Sequence, residues 1–401
     1  MFLWASSAGA QEKTLLDAPD IKRILKGLSE ITGWDVRRRV PAEFISKDQL
    51  RGFVEQRIRQ EVKPRDIYIE ELALKMFGLA PQDFDLRKTT IDLVSEQAAA
   101  FYDPRKRKLS IIETSGQSGM EKRAALIHEL AHAIADQHFR LERYIKKGGQ
   151  NDDAETARQA VVEGQATWLM WAYANHEGGG EVGVGASAML AMDQLAETNS
   201  AQYPALAEAP LYLRESLLFP YTKGLAFQDA VFQKLGQRSF NDVFRRPPAS
   251  TREILHPGEY LAGHEFAVPK PPPVPDEKRY RKLADGTLGE FDQYVLLRQF
   301  GSEPEAKRLS AKWRGGVFRL LESKRDKRPV LAFTAVWDSA ESASAYFTAY
   351  EAVLRGKWKR FDVVKRSENE LIGTGDRGAF VVKLDGAQVT GVEGLPEGAI
   401  H

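Results

Sequence analysis

His128 and His132 stand four residues apart in the stretch LIHELAHAIADQHF (126–139), and Glu129 directly follows the first of them. Positions four apart on an α-helix lie one above the other, so both imidazoles can face one cation. Glu129 is rotated roughly 100° from His128. It need not bind the metal and can face a water held there. Hydrolytic zinc chemistry requires that arrangement: the ion lowers the pKa of a metal-bound water and polarises a carbonyl, while the carboxylate takes the proton and later delivers it to the leaving amine. With only seven histidines in 401 residues, a chance match is on the order of one per cent by composition. The flanking Leu126, Ile127, Leu130, Ala131, Ala133 and Ile134 make the helix largely apolar. Two imidazoles there need partners, because an unsatisfied polar group in a core costs on the order of a few kcal/mol.

A catalytic zinc needs a third protein ligand and one open position. The chain has no cysteine, so the ligands must be nitrogen and oxygen. AVVEGQATWLMW (160–171) supplies Glu163 among Val161, Val162, Trp168 and Leu169, a setting that predicts burial. Gly164 and Ala166 form a small-residue step that would let this helix approach the histidine helix closely. Asp136 and Thr167, each one turn beyond a ligand, are candidate partners for orienting the ligands.

The elements that position these residues can be read coarsely. Residues 13–95 are mainly helical, with apolar residues three and four apart in DQLRGFVEQRIRQEV and YIEELALKMFGL. AAAFYDPRKRKLSIIE predicts a hairpin turning at Asp103-Pro104. Ala98 to Tyr102 could present an exposed edge to extended substrate. A helix over 119–138 carries the histidines, and a second, from about Ala154 to Asn175, carries Glu163. GGGEVGVGASA (178–188) reads as a mobile connection, and further helices occupy 189–245. VPKPPPVPD (268–276) is an extended, proline-rich spacer. Beyond it, RPVLAFTAVW predicts a strand, SAESASAYFTAYEAVL a helix and GAFVVKLDGAQVTGVEG a hairpin.

HELAH and VEGQAT together resemble the gluzincin-type zinc metallopeptidases, in which a His-Glu-x-x-His helix is followed by a glutamate ligand on a later helix. The resemblance spans residues 96–260. More broadly, FYDP, HELAHAIADQHF, VEGQAT, FPYTKG and PPASTREILHP look like a family of largely uncharacterised bacterial metallopeptidases. It implies one zinc per chain, held by His128, His132 and Glu163, with Glu129 as general base and then acid on a peptide or protein substrate. Thirty residues separate His132 from Glu163, more than in the best-known gluzincins, and a loop insertion at RLERYIKKGGQND would account for them. FPYTKGLAF resembles the Pro-Tyr-x-Lys-Gly stretch of gluzincin aminopeptidases, which makes Tyr221 a candidate donor to the developing oxyanion. The Gly-Ala-Met-Glu-Asn exopeptidase signature of those enzymes is absent from the chain, so aminopeptidase specificity does not carry over. His256, on the non-helical backbone before Pro257, is the rival donor.

The expectation is therefore an α+β protein: a possible signal-peptide remnant (1–12), a helix-rich, zincin-like catalytic region with a small sheet or hairpin (13–265, with its core at 96–265), a linker (266–280) and a small mixed α/β C-terminal domain (281–401). Fifty-seven basic and fifty-six acidic residues leave a formal charge of +1, which argues against a nucleic-acid partner. No apolar run reaches the length of a membrane span. Ala8-Gly9-Ala10 before Gln11 resembles a signal-cleavage site, pointing to export, with a cytoplasmic location as the alternative. Two rival functions share these residues: hydrolysis of a non-peptide amide or ester, and a catalytically inactive peptidase-like binding or assembly protein.

Overall fold

The computed structural model describes residues 18–113, 119–148, 151–185, 188 and 203–399. The expected signal remnant lies outside them, as does most of 186–202. The fold is α+β. Helix α1 (Ala18–Thr32) is followed by a short strand, β1 (Ala42–Ile45), and by α2 (Lys47–Glu61), α3 (Pro64–Phe77) and α4 (Leu86–Gln97). Local chemistry sets these boundaries. Ser46 caps α2 in a capping box with Gln49. Pro64 opens α3, and Gly78 closes it in the left-handed conformation, at φ 79°. Strands β2 (Ala100–Asp103) and β3 (Lys108–Ile112) form the expected hairpin. β1 pairs with β3 in parallel, giving the order β1-β3-β2. β2 is thus an edge strand.

Next come α5 (Gly119–Phe139), α6 (Leu141–Lys146), α7 (Asp152–Glu177), α8 (Pro204–Glu208), α9 (Leu211–Leu235), α10 (Ser239–Arg245), α11 (Thr251–Leu255) and α12 (Pro257–Ala262). The C-terminal part holds β4 (Tyr280–Thr287), α13 (Glu290–Phe300), α14 (Glu303–Ser310), β5 (Trp313–Ser323), β6 (Pro329–Trp337), α15 (Ala340–Lys357) and β7 to β10 (Phe361–Arg366, Glu370–Gly375, Gly378–Asp385 and Gln388–Leu395). Its seven strands make one antiparallel sheet in the order β4-β5-β6-β10-β9-β8-β7.

Strand alternation splits that sheet into two faces. Leu331, Phe333 and Ala335 point toward α15, where Phe333 and Tyr350 meet at a tilt of 50° with centroids 4.7 Å apart, and they belong to a core continuous with the helical part. Val330 and Ala332 point the other way and pack with Val274 of the proline-rich segment. That segment has no helix or strand and is docked rather than free: the Thr334 hydroxyl donates to the Lys270 carbonyl at 2.7 Å, and the Ala267 amide to the Arg314 carbonyl at 3.1 Å.

Further contacts tie the two parts together. Phe219 of α9 meets Phe291 of α13 at 4.6 Å between centroids, and Phe77 of α3 meets Phe318 of β5 at 5.5 Å. Lys357 is buried against Glu393, 2.7 Å away, and donates to the Met76 carbonyl at the end of α3. Among the described residues, no helix is long and apolar enough to cross a membrane.

Candidate metal centre

Three helices build the centre. α5 buries Leu126, Leu130, Ala133 and Ile134, turns His128 and His132 toward α7 and sets Glu129 against β2. α7 begins at its Asn151 cap, buries Val161, Val162, Trp168 and Leu169 as the sequence predicts, and presents Glu163. α9 supplies Tyr221 from mid-helix, one residue after the internal Pro220.

The ligand atoms converge. Glu163 Oε2 lies 3.2 Å from His128 Nε2 and 3.2 Å from His132 Nε2, and the two Nε2 atoms are 3.0 Å apart. Zinc bonds of about 2.0–2.1 Å in a tetrahedron place neighbouring donors about 3.3 Å apart. The observed triangle and its two-nitrogen, one-oxygen chemistry therefore fit a zinc ion. The imidazole rings stand almost perpendicular, at 86°, with centroids 4.6 Å apart. The group His128, His132 and Glu163 is the cluster of histidine and acidic residues able to hold a metal among the described residues.

Electrostatics separate the roles of the two glutamates. Burial pushes the Glu163 carboxyl up, but His132 and His128 outweigh it by charge and hydrogen bonding, and the group is held well below the usual carboxylate range. Burial pushes Glu129 up to about 7, with Glu163 adding to the rise against the opposing pull of His128 and of a backbone hydrogen bond. That bond comes from the Tyr102 amide to Glu129 Oε2, at 2.7 Å. Tyr221 stacks on His128 at 5.9 Å between centroids. The charge of Glu163, then burial, then Glu129 raise its phenol well above its ordinary value, and it hydrogen-bonds to Glu163.

The close approach of these helices has a backbone cause. A Cβ on Gly164 would fall 2.0 Å from the Gly224 carbonyl carbon, and one on Gly224 would fall 2.1 Å from the Ala160 oxygen. α7 and α9 thus cross backbone to backbone beside Glu163 and three residues after Tyr221. The sequence suggested Gly164 as a small step, but its partner is α9 rather than the histidine helix. Gly224 was missed. A glycine inside a long helix, where it lowers helix propensity, was the available signal.

His256 is placed elsewhere. Its Nε2 lies 2.9 Å from Glu290, and it lines a cavity along α9 whose walls include none of His128, Glu129, His132, Glu163 or Tyr221. Asp136 has other partners than an imidazole: its carboxylate accepts from the Tyr102 hydroxyl at 3.1 Å and from the Leu141 amide at 2.9 Å. Thr167 donates to the backbone carbonyl of Glu163 at 2.8 Å and so braces α7 rather than the carboxylate.

A family model described as a domain of unknown function, DUF8575, matches residues 278–400, the part of the chain that holds the seven-stranded sheet. No curated protein matches the chain, and no solved structure matches it.

Proposed function

We propose that this chain is a zinc-dependent metallopeptidase of the gluzincin type. His128 Nε2, His132 Nε2 and Glu163 Oε2 would hold the ion, which supplies a Lewis-acid charge that activates water and polarises a carbonyl. Glu129 is the general base. Its Oε2 is engaged by the Tyr102 amide, so Oε1 is the oxygen that accepts the proton and returns it to the leaving nitrogen. A carboxyl raised to about 7 is suited to both tasks near neutral pH. Tyr221, kept protonated by the neighbouring charge of Glu163, donates to the oxyanion. Extended substrate pairs with β2. The Tyr102 amide reaches Glu129 rather than β3, so the free edge of this strand runs past the base, and an added strand would bring its peptide groups there.

The observation that carries this reading is the convergence of three ligand atoms from two helices within 4.8 Å of one another, with Glu129 alongside. The purified chain is expected to contain about one zinc, lost in a His128→Ala, His132→Ala double variant. Glu129→Gln should keep the zinc and lose peptide turnover by roughly 10²-fold or more, measured on unfolded proteins and blocked peptides. Undiminished turnover in that variant refutes the mechanism. Turnover confined to small non-peptide amides or esters would move the assignment to that class of hydrolase.

A further inference from the structure

A cavity of about 690 Å³ lies between α9 and the C-terminal part, against α13 and α14. Its wall is divided almost evenly between polar and apolar surface, and the apolar side includes Leu211, Leu218, Phe219, Leu255 and Phe291. Its charges are mostly matched. Arg298 pairs with Glu215 at 2.5 Å and with Glu303 at 3.3 Å, and Lys307 pairs with Glu303 at 2.7 Å. Glu290 is taken by His256 at 2.9 Å and by Arg252 at 2.7 Å.

Arg214 is the exception. Its Nε is buried with no hydrogen-bond partner, and among the described residues no carboxylate pairs with its guanidinium. An unsatisfied buried donor is costly, and charged donors most of all. A guanidinium presents parallel N–H groups that match the two oxygens of a carboxylate. A cation with no carboxylate partner among the described residues, beside the apolar side of the cavity, offers charge neutralisation to a monoanion.

We propose that this cavity binds an apolar monocarboxylate, with its carboxylate on Arg214 and its hydrocarbon body against Leu218, Phe219 and Phe291. The C-terminal residue of a peptide and a free aromatic acid share that chemistry. Seven helical positions, about 10.5 Å of rise and a net rotation of only about 20°, separate Arg214 from Tyr221. The site is therefore close to the metal centre along α9, yet it needs neither metal nor turnover.

The test is calorimetric titration of the full chain in the presence of a chelator, so that failure of the metal-centre reading leaves it unaffected. N-acetyl-leucyl-phenylalanine should bind, and its C-terminal amide should bind roughly 10- to 100-fold more weakly. Arg214→Gln should weaken the acid by a similar factor and leave the amide unchanged. Titration with 3-phenylpropionate separates the sources: weaker binding than the acetylated dipeptide assigns the site to peptide ends, and equal or tighter binding assigns it to free acids. Equal affinity for acid and amide, no binding of either acid, or an acid affinity unmoved by Arg214→Gln overturns the proposal. The acid–amide comparison on the native chain stands without any variant.

Discussion

The phenol of Tyr221 and the carboxylate of Glu163 hold each other in opposite protonation states. His132 and His128 keep Glu163 ionised in spite of its burial, and the resulting negative charge keeps Tyr221 a proton donor across the neutral range. If that donor steadies an oxyanion, Tyr221→Phe should lower kcat by roughly 10²-fold with zinc content unchanged. A kcat equal to that of the native chain would remove Tyr221 from the chemistry. His128, Glu129 and His132 were readable from sequence because their relation is local, set by the pitch of one helix. Glu163 was readable from its apolar neighbours. Tyr221 and His256 were not separable in the same way. Each sits in a reactive-looking stretch, and only the packing of α9 on α7, and of Glu290 on His256, decides which one meets His128 and Glu163.

Among the elements, the crossing of α7 and α9 controls the site. Gly164 and Gly224 let the two backbones touch, and Glu163 and Tyr221 flank the contact. Gly224→Ala places a methyl against the Ala160 carbonyl oxygen, a backbone atom that cannot swing aside as a side chain would. The helices must then separate. The expected result is a loss of roughly 1–3 kcal/mol in unfolding free energy, together with weaker zinc binding in a competition titration with a coloured chelator. A variant with native stability and native zinc affinity would show that the crossing does not set the ligand geometry. The helices α5 and α7 and the β2–β3 hairpin follow from periodicity, caps and a turn. Strand β1 went unread because four residues carry no periodic signal and its parallel pairing with β3 joins segments far apart in sequence. β5 was obscured by its charged residues and by the glycines at 315 and 316.

Across the molecule, the joint between the helical and sheet parts is rich in acid. Asp153 accepts from the Thr251 hydroxyl at 2.5 Å, and Asp292 accepts from the Tyr212 hydroxyl at 2.8 Å and the Gly289 amide at 2.7 Å. Burial, with Asp153 nearby, raises Asp292 to about 7, so between an ordinary carboxylate pKa of about 4 and about 7 the folded chain binds more protons than the unfolded one. The stabilisation from the protonated group is full below about pH 4 and is lost as pH rises through 7. Asp292→Asn keeps one acceptor oxygen for the Gly289 amide, lets its NH2 donate to the Tyr212 hydroxyl oxygen, and removes the titration. Relative to the native chain it should gain roughly 2 kcal/mol between pH 5 and pH 8 in denaturant unfolding, and parallel pH profiles would contradict this. The buried Lys357–Glu393 pair and the docked proline-rich segment hold the same joint from other sides. By itself the sequence determined the α+β class, the histidine helix carrying Glu129, the buried setting around Glu163 and the absence of helix or strand in the proline-rich stretch, all relations carried by local spacing and composition. Only the tertiary structure decided which glycines touch, that Tyr221 rather than His256 reaches Glu163, that the sheet part shares a core with the helices, and that Arg214 has no carboxylate partner among the described residues. Those facts depend on contacts between segments distant along the chain, which burial and backbone approach select and no local pattern records.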